Sequence, residues 1–183
     1  MLFSFNNIDD IKKFVAKNRP DGAIVDTNIL ILFLVGNYDS TKIGECGLLD
    51  EYCIEDFETL KEIFKVFKKI IITPHIIAEL SNLSVTGKRL KIYGDGLISY
   101  LQTVVEFLKL VEERYQKLDC LWGMNLEILS EFGFTDMTIF ELSNKTKTPV
   151  ITNDSPFCYR FREKIPIIRL EDIKNGKYQS AFR

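Results

Sequence analysis

Four short apolar runs, each followed by polar or acidic residues, constrain what this 183-residue chain can fold into. They are Ala23-Ile24-Val25, Lys69-Ile70-Ile71-Ile72, Pro149-Val150-Ile151-Thr152 and Ile165 to Leu170. Each is too short for a helix and apolar enough for a strand covered on both faces. Between them, apolar residues recur at helical spacing. Residues 9–17 place Ile11, Phe14 and Val15 on one face, and residues 56–68 do the same with Leu60, Ile63, Phe64 and Phe67. Thr73-Pro74 opens another helix, with Thr as N-cap and Pro at the first helical position, where a missing N–H costs nothing. That helix carries Ile76, Ile77, Leu80 and Leu83. Strands alternating with helices imply a parallel sheet covered by helices on both faces, with right-handed crossovers.

The other segments fit around this frame. Arg19-Pro20-Asp21-Gly22 is a turn. The seven apolar residues Ile29 to Val35 predict a helix buried on most sides, ending near Gly36 or Asn37. Residues 38–55 give no periodic signal. Gly87 to Gly96 is a basic, Gly-punctuated loop or hairpin, followed by a helix from Leu97 to Leu108 or beyond, with residues 108–115 open to a short strand. A further helix covers roughly 120–131 and ends before Gly133. Thr135 then caps one that runs through Asn144 and begins with Asp136.

Composition excludes several classes. With 46% apolar and 27% charged residues, the chain is not predominantly disordered. The longest apolar run falls far short of the ~20 residues that a bilayer core requires. No basic region precedes Asp9 and Asp10, so the chain is read as cytoplasmic and without a secretory signal. Cys46, Cys53, Cys120 and Cys158 show no C-x-x-C spacing, and His75 is the one histidine, so a structural zinc site is not expected and any metal must be held by oxygen. The net charge of −2 is unevenly spread. From Arg160 onward seven Lys or Arg face three Asp or Glu, whereas Glu45 to Glu62 holds seven acids against Lys61 alone.

In a doubly wound sheet, ligands bind beyond the carboxyl ends of the strands. Asp26 directly follows the first strand, and Asp154 lies two residues beyond Thr152. Glu79 falls beside the inward stripe of the helix after the second strand, and Asp136 opens a helix whose N-terminus adjoins the same rim. Taken singly, Asp26 and Asp136 read as helix caps and Asp154 as turn chemistry. Four carboxylates at one rim repel each other, and protons or a cation must relieve this. Mg²⁺ and Mn²⁺ prefer oxygen ligands and can activate water toward a phosphodiester, so the pattern points to metal-assisted phosphoryl chemistry.

The segments around these acids resemble the motifs of PIN-domain nucleases. Ile24-Val25-Asp26-Thr27-Asn28-Ile29-Leu30 looks like the opening motif, and Ile72 to Leu80, with Glu79, resembles the second. Gly133-Phe134-Thr135-Asp136-Met137-Thr138-Ile139 resembles the third, and Val150-Ile151-Thr152-Asn153-Asp154 the fourth. The motifs keep the family's order across residues 23–170. The resemblance implies a single PIN-like domain over 1–183, an α/β fold with a three-layer α/β/α sandwich and a central parallel sheet, and insertions at 38–55 and 84–130. It implies a metal-dependent endoribonuclease that hydrolyses phosphodiester bonds of single-stranded or structured RNA with Mg²⁺ or Mn²⁺. Asp26, Glu79, Asp136 and Asp154 become its catalytic, metal-holding site, with Thr27, Asn28 and Thr152 in support. Many compact members are toxins of bacterial toxin–antitoxin pairs and form dimers, so the resemblance extends to an antitoxin partner and a homodimer.

For RNA contacts the sequence offers Lys88, Arg89, Lys91, Arg160 and Arg162, since Lys and Arg neutralise phosphates. Tyr93, Tyr159 and Phe161 are candidate stacking rings with a core role as the alternative, Trp122 is most simply a core anchor, and His75 is an early-helix residue or a proton donor. Two competing readings remain. A catalytically silent PIN scaffold binding RNA or protein is marked by loss of the acids, yet all four are here. Another Rossmann-like phosphohydrolase, with Asp26 as nucleophile, would want a second acid where Asn28 stands. No Gly-rich phosphate loop follows Val25.

Overall fold

Five strands, Ala23–Val25 (β1), Ile70–Ile72 (β2), Glu112–Glu113 (β3), Val150–Thr152 (β4) and Ile167–Arg169 (β5), form one all-parallel sheet in the order β3-β2-β1-β4-β5. The structure, a computed structural model, describes residues 5–84, 88–117, 119 and 126–181. The helices are Ile8–Asn18 (α1), Thr27–Asp39 (α2), Ile54–Val66 (α3), Pro74–Ser84 (α4), Gly94–Leu108 (α5), Leu126–Thr146 (α6), Ser155–Phe161 (α7) and Leu170–Ala181 (α8). They flank the sheet in a three-layer α/β/α arrangement, the fold class expected from the strand–helix alternation.

The central strands are apolar because both faces are covered. Ala23, Ile24 and Val25 are fully buried, and Ile24 pairs with Ile71 on one side and Val150 on the other. Helix α2 packs against α3, α4 and α5, and Ile29 to Leu32, Leu34 and Val35 are all fully buried. It continues past Gly36 to Asp39, three residues beyond the expected stop, and a 3₁₀ turn over Ser40–Glu45 follows. Gly36 is a packing position rather than a terminator: a Cβ there would lie 2.4 Å from the Phe57 ring.

The expected strand within 108–115 is real but only two residues long, and it forms a sheet edge pinned by charge. Lys69 Nζ is 2.5 Å from Glu112, and Arg114 bridges Glu112 at 2.6 Å and Asp21 at 3.2 Å. Pairing of this edge keeps its exposed N–H and C=O row short. The expected break at Gly133 between two helices is present, with residues 120–125 of the first outside the described residues, but Thr135 does not cap the second. Helix α6 runs from Leu126 through a kink at Gly133, whose φ of 74° suits glycine, and resumes at once. Asp136 therefore sits within the first turn after the kink, not at the first position behind a Thr135 cap. Helices α7 and α8 follow β4 and β5 where the sequence pattern gave no helix. Trp122 and Cys120 lie outside the described residues, as does part of the insertion expected at 84–130. Among the described residues no helix is long and apolar enough to cross a membrane.

Gly36→Ala should destabilise the fold. A methyl group there meets a ring that is 4% exposed and held in the α2–α3 interface. The overpacking cost, about 1–3 kcal/mol, should exceed the helix-propensity gain of about 1 kcal/mol. Urea unfolding of the variant should show a lower midpoint at unchanged slope.

Candidate active site

Strands β1 and β4 are neighbours, and the chain winds outward from them in opposite directions. This is the switch point where a doubly wound sheet opens a crevice at its carboxyl edge. Asp26 stands at the end of β1 as the N-cap of α2 and is 8% exposed. Its Oδ1 accepts the Thr27 N–H at 2.6 Å and its Oδ2 accepts the Thr152 hydroxyl at 2.8 Å. Thr152 ends β4 and is 1% exposed, and its oxygen also accepts the Asp154 N–H at 3.0 Å. One hydroxyl thus ties the ends of the two central strands together, donating to the Asp26 carboxylate and accepting from the Asp154 backbone. Asp154 caps α7, its Oδ1 accepting the Phe157 N–H at 2.6 Å.

Glu79 joins the group from α4, whose start is set by β2. Its Oε2 accepts the buried Thr27 hydroxyl at 2.8 Å. Asp136 enters from α6, and among the described residues its carboxylate receives no hydrogen bond, in contrast to the other three.

The structure brings the four acids within electrostatic reach of one another. Burial raises the Asp136 carboxyl to about 8, with further upward pushes from Asp26, Asp154 and Glu79. Burial likewise raises Asp26 to about 6, against the bonds from Thr152 and Thr27 and with added repulsion from Glu79 and Asp154. Coulombic coupling reaches further than coordination bonds do. Among the described residues no three His, Cys, Asp or Glu side chains are gathered into a group that could hold a metal ion. The donor chemistry is nonetheless that of a hard cation. All four side chains offer oxygen, their mutual repulsion favours added positive charge, and Asp136 has unused acceptor capacity.

The supporting residues divide. Thr27 and Thr152 each bond to an acid, whereas Asn28 is exposed and makes no side-chain hydrogen bond among the described residues. His75, one turn before Glu79 on α4, has its Nδ1 buried without a hydrogen-bond partner. The basic residues stand apart from the acids. Lys88, Arg89 and Lys91 are exposed in the turn before α5, and no hydrogen bond or ion pair joins them to the acidic group. Arg160 and Arg162 are exposed on α7, the helix that Asp154 caps, and Arg162 lies 5.8 Å from the Tyr159 ring. Arg160 lies six positions beyond that cap, roughly 9 Å along the axis. Tyr93 and Tyr159 are exposed, but Phe161 is 2% exposed and stacks on Phe140 at 4.3 Å, so it is a core ring and not a base-stacking one.

Tyr52 is a neighbour of the site that sequence reading missed. Its hydroxyl lies beside Asn153, and burial together with the nearby Asp26 charge pushes its pKa up. It belongs to the aperiodic acidic segment before α3. The one local signal was Cys53-x-x-Asp56, in which Asp56 Oδ2 accepts the Cys53 N–H at 2.9 Å and marks the start of that helix.

The raised carboxyls fix the sign of a pH effect. Asp26 and Asp136 hold protons in the fold to a higher pH than the ordinary 3.8. Between that value and about 8 the native state binds more protons than the unfolded chain, so stability falls as pH rises through this window. Metal-free protein should therefore melt at a higher temperature at pH 5 than at pH 8. Asp136→Asn should flatten the dependence and raise the pH 8 midpoint by ~2–4 °C for each kcal/mol of repulsion relieved. A midpoint that climbs toward pH 8 in the native sequence would contradict the shifts.

No protein-family model matches the chain, and no curated protein matches it.

Proposed function

We propose that the protein is a metal-dependent endoribonuclease of the PIN type, hydrolysing RNA phosphodiester bonds at the crevice between β1 and β4. The observation that carries this reading is the convergence of Asp26, Glu79, Asp136 and Asp154, drawn from four separate segments, on one rim of a parallel sheet. Asp26 and Asp136 would hold a divalent cation, with Glu79 and Asp154 completing the negative field around it. A bound Mg²⁺ or Mn²⁺ supplies Lewis acidity to the phosphodiester and to the attacking water.

The chain's own residues do the positioning. Thr152 and the Thr27 N–H each occupy one oxygen of Asp26, which fixes the plane of its carboxylate and leaves further lone pairs toward the crevice. The Thr27 hydroxyl orients Glu79 in the same way. Such supporting bonds hold ligands in one orientation. A protonated Asp136 is a hydrogen-bond donor, whereas a cation beside it would favour the carboxylate. The exposed cations of α7 and of the turn at 88–91 would meet the RNA backbone, and Tyr93 and Tyr159 its unpaired bases. A cytoplasmic location, an antitoxin partner and a homodimer belong to the same proposal and rest on the motif resemblance.

The test is cleavage of single-stranded RNA by purified protein with Mn²⁺, with Mg²⁺ and with EDTA. Cleavage should require the metal, and Asp26→Asn and Asp136→Asn should each lower it by about 100-fold or more while the protein stays folded. Folded variants with full activity would overturn the assignment. Thr152→Val removes both the bond to Asp26 and the acceptor for the Asp154 N–H, and should cost about 10–100-fold, with most of the loss regained at high metal concentration.

A further inference from the structure

A second cavity adjoins the acidic rim. It has a volume of about 240 Å³ and is lined by Glu51, Tyr52, Asp56, Asn153, Lys174 and Asn175, among others. Asn153 lies in the turn between Thr152 and Asp154, so the cavity wall and the candidate site share one stretch of chain. The Asn153 Oδ1 accepts the Glu171 N–H at 3.1 Å, which fixes the amide from the α8 side. Tyr52, beside that amide, also senses the Asp26 charge. A group seated here would be the immediate neighbour of one bound at the acids.

The lining decides what that group is. Lys174 is not a free cation: its Nζ is 3.0 Å from Asp56, which is 4% exposed, so the two charges cancel. A phosphate would meet the carboxylates of Glu51, Asp56 and Glu171 with no cation left over in the lining, since Glu171 is itself paired with Arg169. What is left over is the exposed Glu51 carboxylate, which forms no hydrogen bond or ion pair among the described residues, the Asn175 amide and the Tyr52 ring, the Asn153 amide being engaged by the Glu171 N–H and the Tyr52 hydroxyl. An aromatic ring, a carboxylate and an amide make an edge-reading site for one unstacked base. A carboxylate accepts best from two adjacent donors. Guanine presents such a pair in its N1–H and N2–H₂, next to the O6 acceptor. Adenine, cytosine and uracil have no two adjacent donors on their pairing edge.

We infer that this cavity takes a guanine base flanking the cleaved bond of the RNA. Glu51 accepts from N1–H and N2–H₂, the Asn175 amide donates to O6, and Tyr52 packs on the ring. The inference rests on the RNA reading of the acidic site and adds a sequence preference to it.

The test separates the two. GMP, AMP, CMP and UMP share one phosphate, so titrating each into the full-length protein with EDTA present reads the base alone and needs no turnover. GMP should bind at least about tenfold tighter than AMP. Glu51→Gln, which leaves the four acids untouched, should abolish that preference. The same variant should still cut RNA but no longer favour sites beside guanine. Equal binding of all four nucleotides, or binding of none, would overturn the guanine site whether or not RNA is cleaved. Binding of N-acetylarginine amide where GMP does not bind would also overturn it and assign the cavity to a protein partner. Selective GMP binding without metal-dependent cleavage would uphold the cavity's base preference and sink the nuclease reading instead.

Discussion

A carboxylate can be buried at the end of a strand only if something donates to it, and at Asp26 both oxygens are met. The second donor, Thr152, lies 126 residues away in sequence and one strand away in the sheet. That bond forms only when β1 and β4 are adjacent and in register, so a local requirement of one acid depends on the topology of the whole sheet. The same hydroxyl accepts from the Asp154 backbone and so fixes the chain's exit from β4. Because α2 and α7 leave the two strands on diverging paths, the crevice between them is a consequence of the winding. No separate element has to build it.

Placing four acids beside this crevice costs stability, and the surrounding structure offsets it. Asp26 caps α2, the most deeply buried helix, whose six fully buried Ile, Leu and Val side chains contribute about 1.5–3 kcal/mol each. The most strained member is Asp136, which has the highest raised carboxyl and no donor among the described residues. It is also the one carried by a kinked helix, so a backbone conformation open to glycine precedes the acid with the fewest partners.

The legible part of this protein was the part governed by period and burial. Ala23-Ile24-Val25 followed by Asp26, and Val150-Ile151-Thr152 followed by Asp154, declare strand ends because a fully covered strand must be apolar and must stop at its rim. The missed elements lack such signals. Helix α7 has seven residues, too few for two turns of amphipathic pattern, and is set by the Asp154 cap and Pro156 at its start. Helix α8 is polar over most of its length and turns inward at Leu170 and Ile173. The break at Gly133 was legible, but the glycine itself, at a φ of 74°, turns the chain there and Thr135 already lies inside the second helix. Tyr52 was invisible because its role depends on Asn153, a contact across 101 positions that no local pattern encodes.

The acidic segment from Glu45 to Glu62 would repel a nucleic acid at the proposed crevice if its charges faced that way unpaired. In the fold at least three of its seven acids are held in ion pairs. Glu45 pairs with Lys42 at 2.6 Å and Glu58 with Lys61 at 3.1 Å, while Asp56 is buried against Lys174 and caps α3. The last of these pairs draws α8 onto α3, so part of the local basic excess after Arg160 neutralises part of the acidic excess before it. Asp26, Glu79, Asp136 and Asp154 add their own mutual repulsion to what remains of that charge. On the proposed nuclease reading, a polyanion approaching those four would meet repulsion until a cation lay between them, so a bound metal would favour substrate binding as well as chemistry.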